Sequence, residues 1–339
     1  MKRERKAGRI VGRTLLVLLV TVLLLALLLV GVVFVALRGP STTVQELLTR
    51  TLKETSAADF IPDLFLSEER VAEIMSYRDT ETDTEEQDIS LVTVHSPQDA
   101  ETGEADAEPE FGPDGINLVG VTGANYRGMM MVVQDPGRVF VGTPEQYGGV
   151  GLTLQSMVAK YDAVGGINAG AFEDPNGTGL GGIPEGIVIS NGELKWGSPA
   201  SVTTVIGFDG GGILHVGRMS AQEALDRGIQ TACSFGPALI VNGEPVSSTE
   251  ISSSGVNPRT AIGQRADGAV LLLVVDGRQI SSLGATLEDL IEIMLDFGAV
   301  TAGNLDGGSS SLMLYKGEAM NVNSSLLGSR PLATAFVVK

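Results

Sequence analysis

The chain has 339 residues, one cysteine and a formal net charge of −18, from 41 acidic and 23 basic residues. Such an acidic balance repels nucleic acid, so we expect no nucleic-acid partner. A single cysteine, Cys233, cannot form an internal disulfide, and an exported domain must then be held together by its hydrophobic core alone. We interpret Cys233 as a small buried side chain rather than a nucleophile.

The N-terminal region combines a basic tail with a long uncharged segment. Residues 1–13 carry net +5, and residues 14–37 are uncharged. As a helix, residues 14–37 would be about 36 Å long, enough for a hydrocarbon core of about 30 Å. Because the basic residues come first, we expect a single-pass cell-membrane protein with a cytoplasmic N-terminus and an extracellular remainder. A cleavable signal peptide is the alternative, but its apolar core would be only about 7–15 residues long.

Residues 38–78 predict a helical stalk next to the membrane. Val44, Leu47, Leu48 and Leu52 have helical spacing, and Ser67 is a plausible N-cap for a second helix. Residues 79–111 predict a flexible linker, because positions 79–110 contain twelve acidic residues and no Lys or Arg. The short apolar patch at 89–94 could instead dock as a strand on the next domain.

From residue 112 to the C-terminus the sequence alternates short apolar runs with turn residues. Asn191-Gly192 supplies the positive φ angles of a type I′ hairpin turn, and Asp209-Gly-Gly-Gly212 separates two further strands. Residues 271–275 are wholly apolar, which predicts a central strand buried on both faces.

Three helices interrupt these strands. They begin near Thr153, at the capping box of Ser220 and at Thr286. We therefore predict an α+β class, with a mixed, largely antiparallel sheet and about three helices, preceded by one transmembrane helix.

Several common catalytic chemistries are disfavoured by the residue inventory. The chain has two histidines: His95, in the linker, to which we assign no role, and His215, in a hairpin strand. A Ser-His-Asp triad would depend on His215 alone, and a zinc site would lack ligands. No phosphate-binding loop of the strand–GxxxxGK[ST]–helix type is present.

Polar residues beside glycine at strand ends are the remaining candidates. The densest group is 304–311, Asn-Leu-Asp-Gly-Gly-Ser-Ser-Ser, whose backbone could approach an anion and whose Asp306 could act as an acid or base. The others contain Asn168, Arg259 and Asp276. On local sequence alone, an ordinary turn is favoured over a site for each group.

Taken in order, these groups resemble the motifs of the phosphodiester glycosidase family. The matching segments are Asn168-Ala-Gly-Ala-Phe172, Arg259-Thr-Ala-Ile-Gly263, Val275-Asp-Gly-Arg278, the 304–311 segment and Arg330-Pro331. The family has Gly and an aromatic residue where this chain has Ala169 and Ala171, and a third glycine where it has Ser309. These departures affect the expected substrate more than the expected reaction.

The resemblance implies hydrolysis of a glycosyl phosphodiester at the anomeric carbon. It assigns residues 112–339 as the catalytic domain and a carbohydrate phosphodiester, in a cell-envelope glycan or exopolysaccharide, as the substrate. We expect no cofactor, and leave a cation bridging Asp306 and a phosphate open. A non-catalytic glycan-binding or scaffold module on the same fold is the alternative. The expected catalytic residues are Asp306, Asp276 and Glu185, and the expected substrate-binding residues are Asn168, Arg259, Thr260, Arg278, Asn304, Gly307, Gly308, Ser309, Ser310 and Arg330.

Overall fold

The apolar N-terminal segment forms one continuous helix. The computed structural model describes residues 2–55, 58–76, 86–94, 111–174, 179–325 and 328–339. Helix α1 spans Lys2–Arg38. Within the described ranges, its portion Gly12–Arg38 is the one helix long and apolar enough to cross a membrane. The predicted apolar helix is therefore confirmed, and a membrane anchor and a signal sequence share these properties.

The stalk folds as two short helices that pack on each other. Helix α2 spans Thr42–Lys53 and helix α3 spans Glu68–Met75, with Ser67 as the N-cap of α3, as predicted. The Arg70 guanidinium joins them by an ion pair with Glu46 of α2 at 3.1 Å. Residues 56–57 and 77–78 of the predicted stalk lie outside the described residues.

The prediction of a flexible linker is wrong for residues 86–94. This segment lies on the globular domain, and Ile89–Leu91 forms a 3-10 turn rather than a docked strand. The amide of Thr93 donates to the Ala266 carbonyl at 2.8 Å, and Gln87 bonds the backbone of a neighbouring strand. The rest of the predicted linker up to residue 110, including His95, lies outside the described residues.

The globular domain contains three sheets, and every strand pairing within the described residues is antiparallel. The largest has the order β1-β2-β13-β12-β14-β10-β11. Its strands are β1 (Ile116–Thr122), β2 (Arg127–Val133), β10 (Ala238–Val241), β11 (Glu244–Pro245), β12 (Arg259–Arg265), β13 (Val270–Val275) and β14 (Ala299–Leu305).

The other two sheets have five strands each, in the orders β16-β15-β4-β17-β3 and β6-β5-β9-β7-β8. The first contains β3 (Val139–Gly142), β4 (Gly165–Asn168), β15 (Met313–Tyr315), β16 (Glu318–Ala319) and β17 (Ala335–Val338). The second contains β5 (Val188–Ser190), β6 (Glu193–Trp196), β7 (Val202–Asp209), β8 (Leu214–Ser220) and β9 (Ile229–Ser234). The β5–β6 turn has positive φ at Asn191 and Gly192, as a type I′ hairpin requires.

The described part of the globular domain has four helices, one more than predicted. They are α4 (Leu154–Lys160), α5 (Ala221–Asp226), α6 (Thr249–Ser252) and α7 (Leu287–Asp296). The three helices were predicted to begin near Thr153 and at Ser220 and Thr286, and each of these residues is the N-cap of a helix. The additional helix α6 has four residues, too short to produce a helical apolar repeat in the sequence.

Strand β13 separates two hydrophobic cores, which explains its unbroken apolar sequence. Leu271 and Leu273 point to the core that contains α7, whereas Leu272 and Val274 point to the core shared with the other two sheets. Successive side chains of a strand alternate between faces, so burial on both faces requires apolar residues at every position. The prediction of a central buried strand is confirmed.

A substitution at Gln87 can test whether residues 86–94 are docked on the globular domain. Its side-chain amide donates to the Leu214 carbonyl at 2.7 Å and accepts from the Val216 amide at 3.1 Å, so it covers edge strand β8. Substitution Gln87→Ala should lower the free energy of unfolding by about 1–3 kcal/mol, because backbone groups lose their partners. Thermal or denaturant unfolding measures this. The half-exposed Ile89→Ala is the control for a change elsewhere in the segment, and no loss of stability in Gln87→Ala would mean that Gln87 does not dock on β8.

Candidate active site

A cleft of about 530 Å³ opens at one edge of the domain. The end of β14 and the beginning of β12 meet there, because these antiparallel neighbours run in opposite directions. The cleft is lined by the 304–310 segment, by residues next to β4, β9, β12 and β13, and by the stalk. Its polar lining residues include Lys53, Glu54, Asp174, Glu185, Asn257, Arg259, Arg278, Asn304, Asp306, Ser309, Ser310 and Arg330.

Asp306 is one of the carboxylates in this lining. Burial raises the pKa of Asp306 from 3.8 to about 6, against the opposing effects of a hydrogen bond from Ser310, the charge of Arg330 and the amide of Gly307. Its pKa lies close enough to neutrality for the carboxyl to gain or lose a proton during a reaction. Asp306 is therefore suited to acid–base chemistry.

A buried hydrogen-bond network beneath the cleft fixes the backbone of Asp306. The Asn168 side chain is completely buried, donates to the Asp306 carbonyl, and accepts from the Leu312 amide at 3.1 Å. The Thr260 hydroxyl donates to the same amide oxygen of Asn168 at 3.0 Å. Asn168 and Thr260 thus do not line the cleft: both were predicted to bind substrate, but the structure gives them a positioning role.

The glycines after Asp306 allow two chain segments to approach closely. A Cβ on Gly307 would lie 2.7 Å from the carbonyl oxygen of Pro258, too close for a side chain. Gly308 has a positive φ of 61°, which favours glycine. Ser309, which departs from the family motif, accepts a hydrogen bond from Arg330 at 3.1 Å. This serine therefore adds a polar contact to the wall of the cleft.

Arg330 is held on one side of the cleft by three kinds of contact. It forms an ion pair with Asp174 at 2.7 Å, and its guanidinium lies over the Phe172 ring at 5.2 Å from the centroid. With the Ser309 contact, these interactions order the side chain before any ligand binds. Arg330 can then present a positive charge without first losing conformational freedom.

Arg259 is paired with a carboxylate from the stalk. Its guanidinium contacts Glu54 at 3.0 Å, and both side chains are 12% exposed. Glu54 also accepts from the Asn257 side chain at 2.6 Å. The stalk was predicted to be only a connection to the membrane, but it contributes a charged residue to the cleft.

Arg278 lies beside Arg259 and also contacts the stalk. It donates to the Thr55 hydroxyl at 2.9 Å and to Asn257 at 3.1 Å. Burial and the positive charge of Arg259 lower the pKa of Arg278, and Glu54 partly opposes this effect. Two neighbouring guanidinium groups repel each other, so an anion of higher charge than one carboxylate would be favoured between them.

The three predicted carboxylates are not equivalent. Asp306 and Glu185 line the cleft, whereas Asp276 does not. Asp276 instead accepts from the Asn321 side chain at 3.0 Å and the Val322 amide at 2.9 Å, which anchors that loop. Loss of hydration, followed by the charge of Glu173, raises the pKa of Glu185.

Asn304 lines the cleft, and its amide oxygen is buried and, among the described residues, unpaired. Its side chain is 3% exposed, and its amide nitrogen donates to the Gly236 carbonyl at 2.7 Å. Its amide oxygen has no partner within the described part of the protein. An unpaired buried acceptor is costly, and this oxygen is enclosed by protein rather than open to the cleft.

Sequence reasoning missed Glu54, Asn257 and Asp174. Asn257 lies two residues before Arg259 in the sequence, and Asp174 lies two residues after Phe172. Their closeness to these motifs could have indicated them. Glu54 had no such signal, because its contact with Arg259 joins positions 205 residues apart. Over the described residues, no group of three His, Cys, Asp or Glu side chains is arranged to hold a metal ion.

The chain belongs to the phosphodiester glycosidase family, whose model matches residues 161–339. That region contains Asn168, Arg259, Asp306 and Arg330. The resemblance seen in the motifs is therefore confirmed.

Two curated relatives and one solved structure are similar to the chain. It is 29% identical over 193 residues to the SPbeta prophage-derived uncharacterized protein YomE of Bacillus subtilis, covering 55% of this chain and 29% of that protein. It is 26% identical over 217 residues to N-acetylglucosamine-1-phosphodiester alpha-N-acetylglucosaminidase of Mus musculus, covering 58% of this chain and 41% of that one. The chain thus spans less than half of either relative.

The solved structure is the zebrafish N-acetylglucosamine-1-phosphodiester alpha-N-acetylglucosaminidase catalytic domain, auto-inhibited by its pro-peptide. It has a TM-score of 0.54 and 23% identity, and the match covers 66% of this chain and 81% of that chain. This likeness confirms the fold class.

The buried charge of Asp306 should destabilise the protein at neutral pH. Its pKa is higher in the folded state, so the folded protein binds more protons and stability falls as pH rises from 3.8 through about 6. The shift of about two pKa units sets an upper limit of about 3 kcal/mol. Substitution Asp306→Asn should therefore raise the free energy of unfolding at pH 7 by about 1–2 kcal/mol, with no gain below pH 4.

Asp114 is the control for this unfolding measurement, because its pKa is lowered in the folded protein whereas that of Asp306 is raised. Hydrogen bonds from Tyr315 and Lys316 lower the pKa of Asp114 to about 2, so its charge stabilises the fold above the unfolded value of 3.8 and is lost as pH falls through about 2. Asp114→Asn should lower stability at pH 7. If Asp306→Asn lowers it as well, the Asp306 carboxylate is stabilised rather than strained by its surroundings.

Proposed function

We propose that the protein is a hydrolase that cleaves glycosyl phosphodiesters at the anomeric carbon. Family membership supports this reaction class, and the observation that carries the proposal is the grouping of Asp306 with three arginines in one cleft. An ionisable carboxylate beside cationic side chains suits a reaction that needs a base and releases an anion. The domain is otherwise strongly acidic, so three arginines in one cleft provide a local positive charge that suits an anionic substrate.

Arg259, Arg278 and Arg330 would bind the phosphodiester and stabilise the phosphomonoester as it leaves. A guanidinium matches two phosphate oxygens at once, and the charge on phosphate increases as the sugar–oxygen bond breaks. The cleft therefore binds the product-like transition state more strongly than the substrate. A phosphomonoester leaves readily as an anion, so little protonation of the leaving oxygen is needed.

Asp306 would accept a proton from the attacking water. The water oxygen forms a bond to the anomeric carbon, and the bond from that carbon to the phosphate-linked oxygen breaks. The leaving oxygen keeps the electron pair, and the products are the free sugar and a phosphomonoester. Glu185 lies on the same cleft and is the candidate second carboxylate.

Asn304 and Phe172 both line the cleft and would contribute to sugar binding. Ala171, also on the cleft, leaves space where the family motif has an aromatic side chain. The preferred sugar can therefore differ from that in the names of the relatives, which specify N-acetylglucosamine.

We also propose that α1 anchors the protein in the cell membrane, with the catalytic domain outside the cell. Support comes from the apolar length of Gly12–Arg38 and the basic residues before it. A substrate in a cell-envelope glycan or exopolysaccharide fits this location. The alternative remains a glycan-binding module without activity, and turnover distinguishes it from an enzyme.

The direct test is turnover of an N-acetylglucosamine-1-phosphodiester, or of another hexose-1-phosphodiester, by the full chain. We expect free sugar and a phosphomonoester, with kcat/KM rising tenfold per pH unit up to the Asp306 pKa of about 6. Asp306→Asn should reduce kcat by about 100- to 10,000-fold.

Asp276→Asn is the matched control for Asp306→Asn, because it changes a partly buried aspartate outside the cleft lining. We expect its effect on kcat to be less than about tenfold, since Asp276 acts only through the 321–322 loop. Tight binding of the phosphodiesters without product would instead favour the non-catalytic module. Equal losses in both variants would contradict the assignment of Asp306 as the base.

Glu54 should compete with the substrate phosphate for Arg259. Substitution Glu54→Gln removes the negative charge and retains a side chain that can bond Asn257. We expect KM to fall by about 3- to 10-fold with kcat nearly unchanged, because the phosphate no longer displaces a carboxylate. Glu46→Gln, which changes a stalk residue outside the cleft, is the control. A higher KM in Glu54→Gln would mean that Glu54 mainly holds Arg259 in place.

A further inference from the structure

The stalk connects the end of the apolar helix directly to the cleft. The Gln45 side chain of α2 donates to the Leu37 carbonyl of α1 at 2.5 Å, and Leu37 is completely buried. The Phe34 ring of α1 packs edge-on against Phe65 with centroids 6.2 Å apart. These contacts fix the stalk to the end of α1 on two sides.

The same stalk is fixed to the cleft at its other end. Lys53 at the end of α2 lines the cleft and pairs with Asp63 at 2.7 Å. The Thr51 hydroxyl accepts from the Val256 amide at 3.1 Å. A Cβ on Gly255 would lie 2.7 Å from the Thr51 amide nitrogen, so the two backbones are in close contact. The stalk is therefore packed on the domain rather than merely attached to it.

This packing limits the distance between α1 and the cleft. Helix α2 has 12 residues and is about 18 Å long, and it begins four residues after α1 ends. The acidic segment follows the stalk in sequence and does not separate the end of α1 from the cleft. The cleft therefore lies about one short helix from the membrane surface that α1 would define.

Exposed apolar side chains occur in the stalk and beside a cleft residue in sequence. In the stalk, Phe60 is 56% and Leu64 is 69% exposed, and Leu64 follows the Asp63 that pairs with Lys53. In the globular domain, Ile280 is fully exposed two residues after Arg278, which lines the cleft. These side chains are available to contact lipid where α1 holds the stalk at a membrane.

We infer that the substrate is a glycosyl phosphate esterified to a lipid alcohol in the membrane that holds α1. This inference rests on the proposed function and specifies the alcohol of the phosphodiester. A lipid-linked substrate would carry its phosphate and sugar outward from the membrane, toward the cleft that contains Arg259 and Arg278 and that lies about one short helix away. Water would add to the anomeric carbon, and the lipid phosphomonoester would leave with the electron pair and remain in the membrane.

The experiment compares two substrates that share the sugar phosphate and differ in the alcohol. One is the long-chain prenyl diester in phosphatidylcholine vesicles containing the full chain, and the other is the water-soluble methyl diester. We expect kcat/KM to be at least about tenfold higher for the prenyl diester, because enzyme and substrate share one surface. A ratio of one or less would overturn the inference. Hydrolysis of neither substrate would instead refute the proposed function.

A second variant distinguishes the effect of the stalk's position from the effect of anchoring enzyme and substrate in the same membrane. A flexible Gly/Ser insertion of about 20 residues after Pro40 keeps the anchor but releases the stalk from α1. The prenyl-to-methyl ratio should fall at least about fivefold, and a general loss of activity cancels in this ratio. An unchanged ratio would overturn the inference.

The exposed apolar residues provide a milder test of the same idea. The double substitution of Phe60→Ser and Leu64→Ser should lower the ratio by about threefold or more, because less apolar surface faces the membrane. Val202→Ser is the matched control, since Val202 is 53% exposed in β7 and outside the cleft lining. Equal ratios in the double variant and the control would count against the inference.

Discussion

The buried Asn168 amide is the interaction on which the arrangement of the cleft depends. It lies at the end of β4 in one sheet and bonds Thr260 of β12 and the Asp306 backbone after β14, both from the largest sheet. Because the group is completely buried, each of its donors and acceptors needs a partner, and the network admits few alternative geometries. The amide therefore fixes two sheets and the backbone of Asp306 in one arrangement.

The cleft is built from charges that would each be unfavourable alone. Burial of Asp306 penalises its ionised form, and the adjacent arginines Arg259 and Arg278 repel each other. Glu54 and Asp174 partly neutralise the arginines while no ligand is bound. An anionic ligand can take over this neutralising role, so the ion pairs both stabilise the free protein and set the cost of binding.

Much of the fold could be predicted because its signals are local. The Asn191-Gly192 turn requires positive φ angles, Ser220 and Thr286 bond backbone groups within one turn, and the apolar run of β13 reflects burial on two faces. The site was predicted less completely. Asp276 stands at the end of a central strand, as expected, but the position of a strand end does not determine where its side chain points. The contact of Glu54 with Arg259 depends on tertiary packing, which no local pattern encodes.

The position of Glu54 links two properties of the cleft that would otherwise be independent. The packing that places its carboxylate on Arg259 also holds the stalk against the cleft, so the end of α1 lies about one short helix away. A movement that withdraws the stalk would remove a negative charge from Arg259 and, under the proposed anchoring by α1, increase the distance between the cleft and the membrane. In a rigid stalk, access of the proposed phosphate to Arg259 and proximity of the cleft to the membrane are thus opposed. A lipid-linked substrate could meet both requirements if its phosphate displaced only the Glu54 side chain from Arg259. Helix α2 would then stay in place and keep the cleft near the membrane.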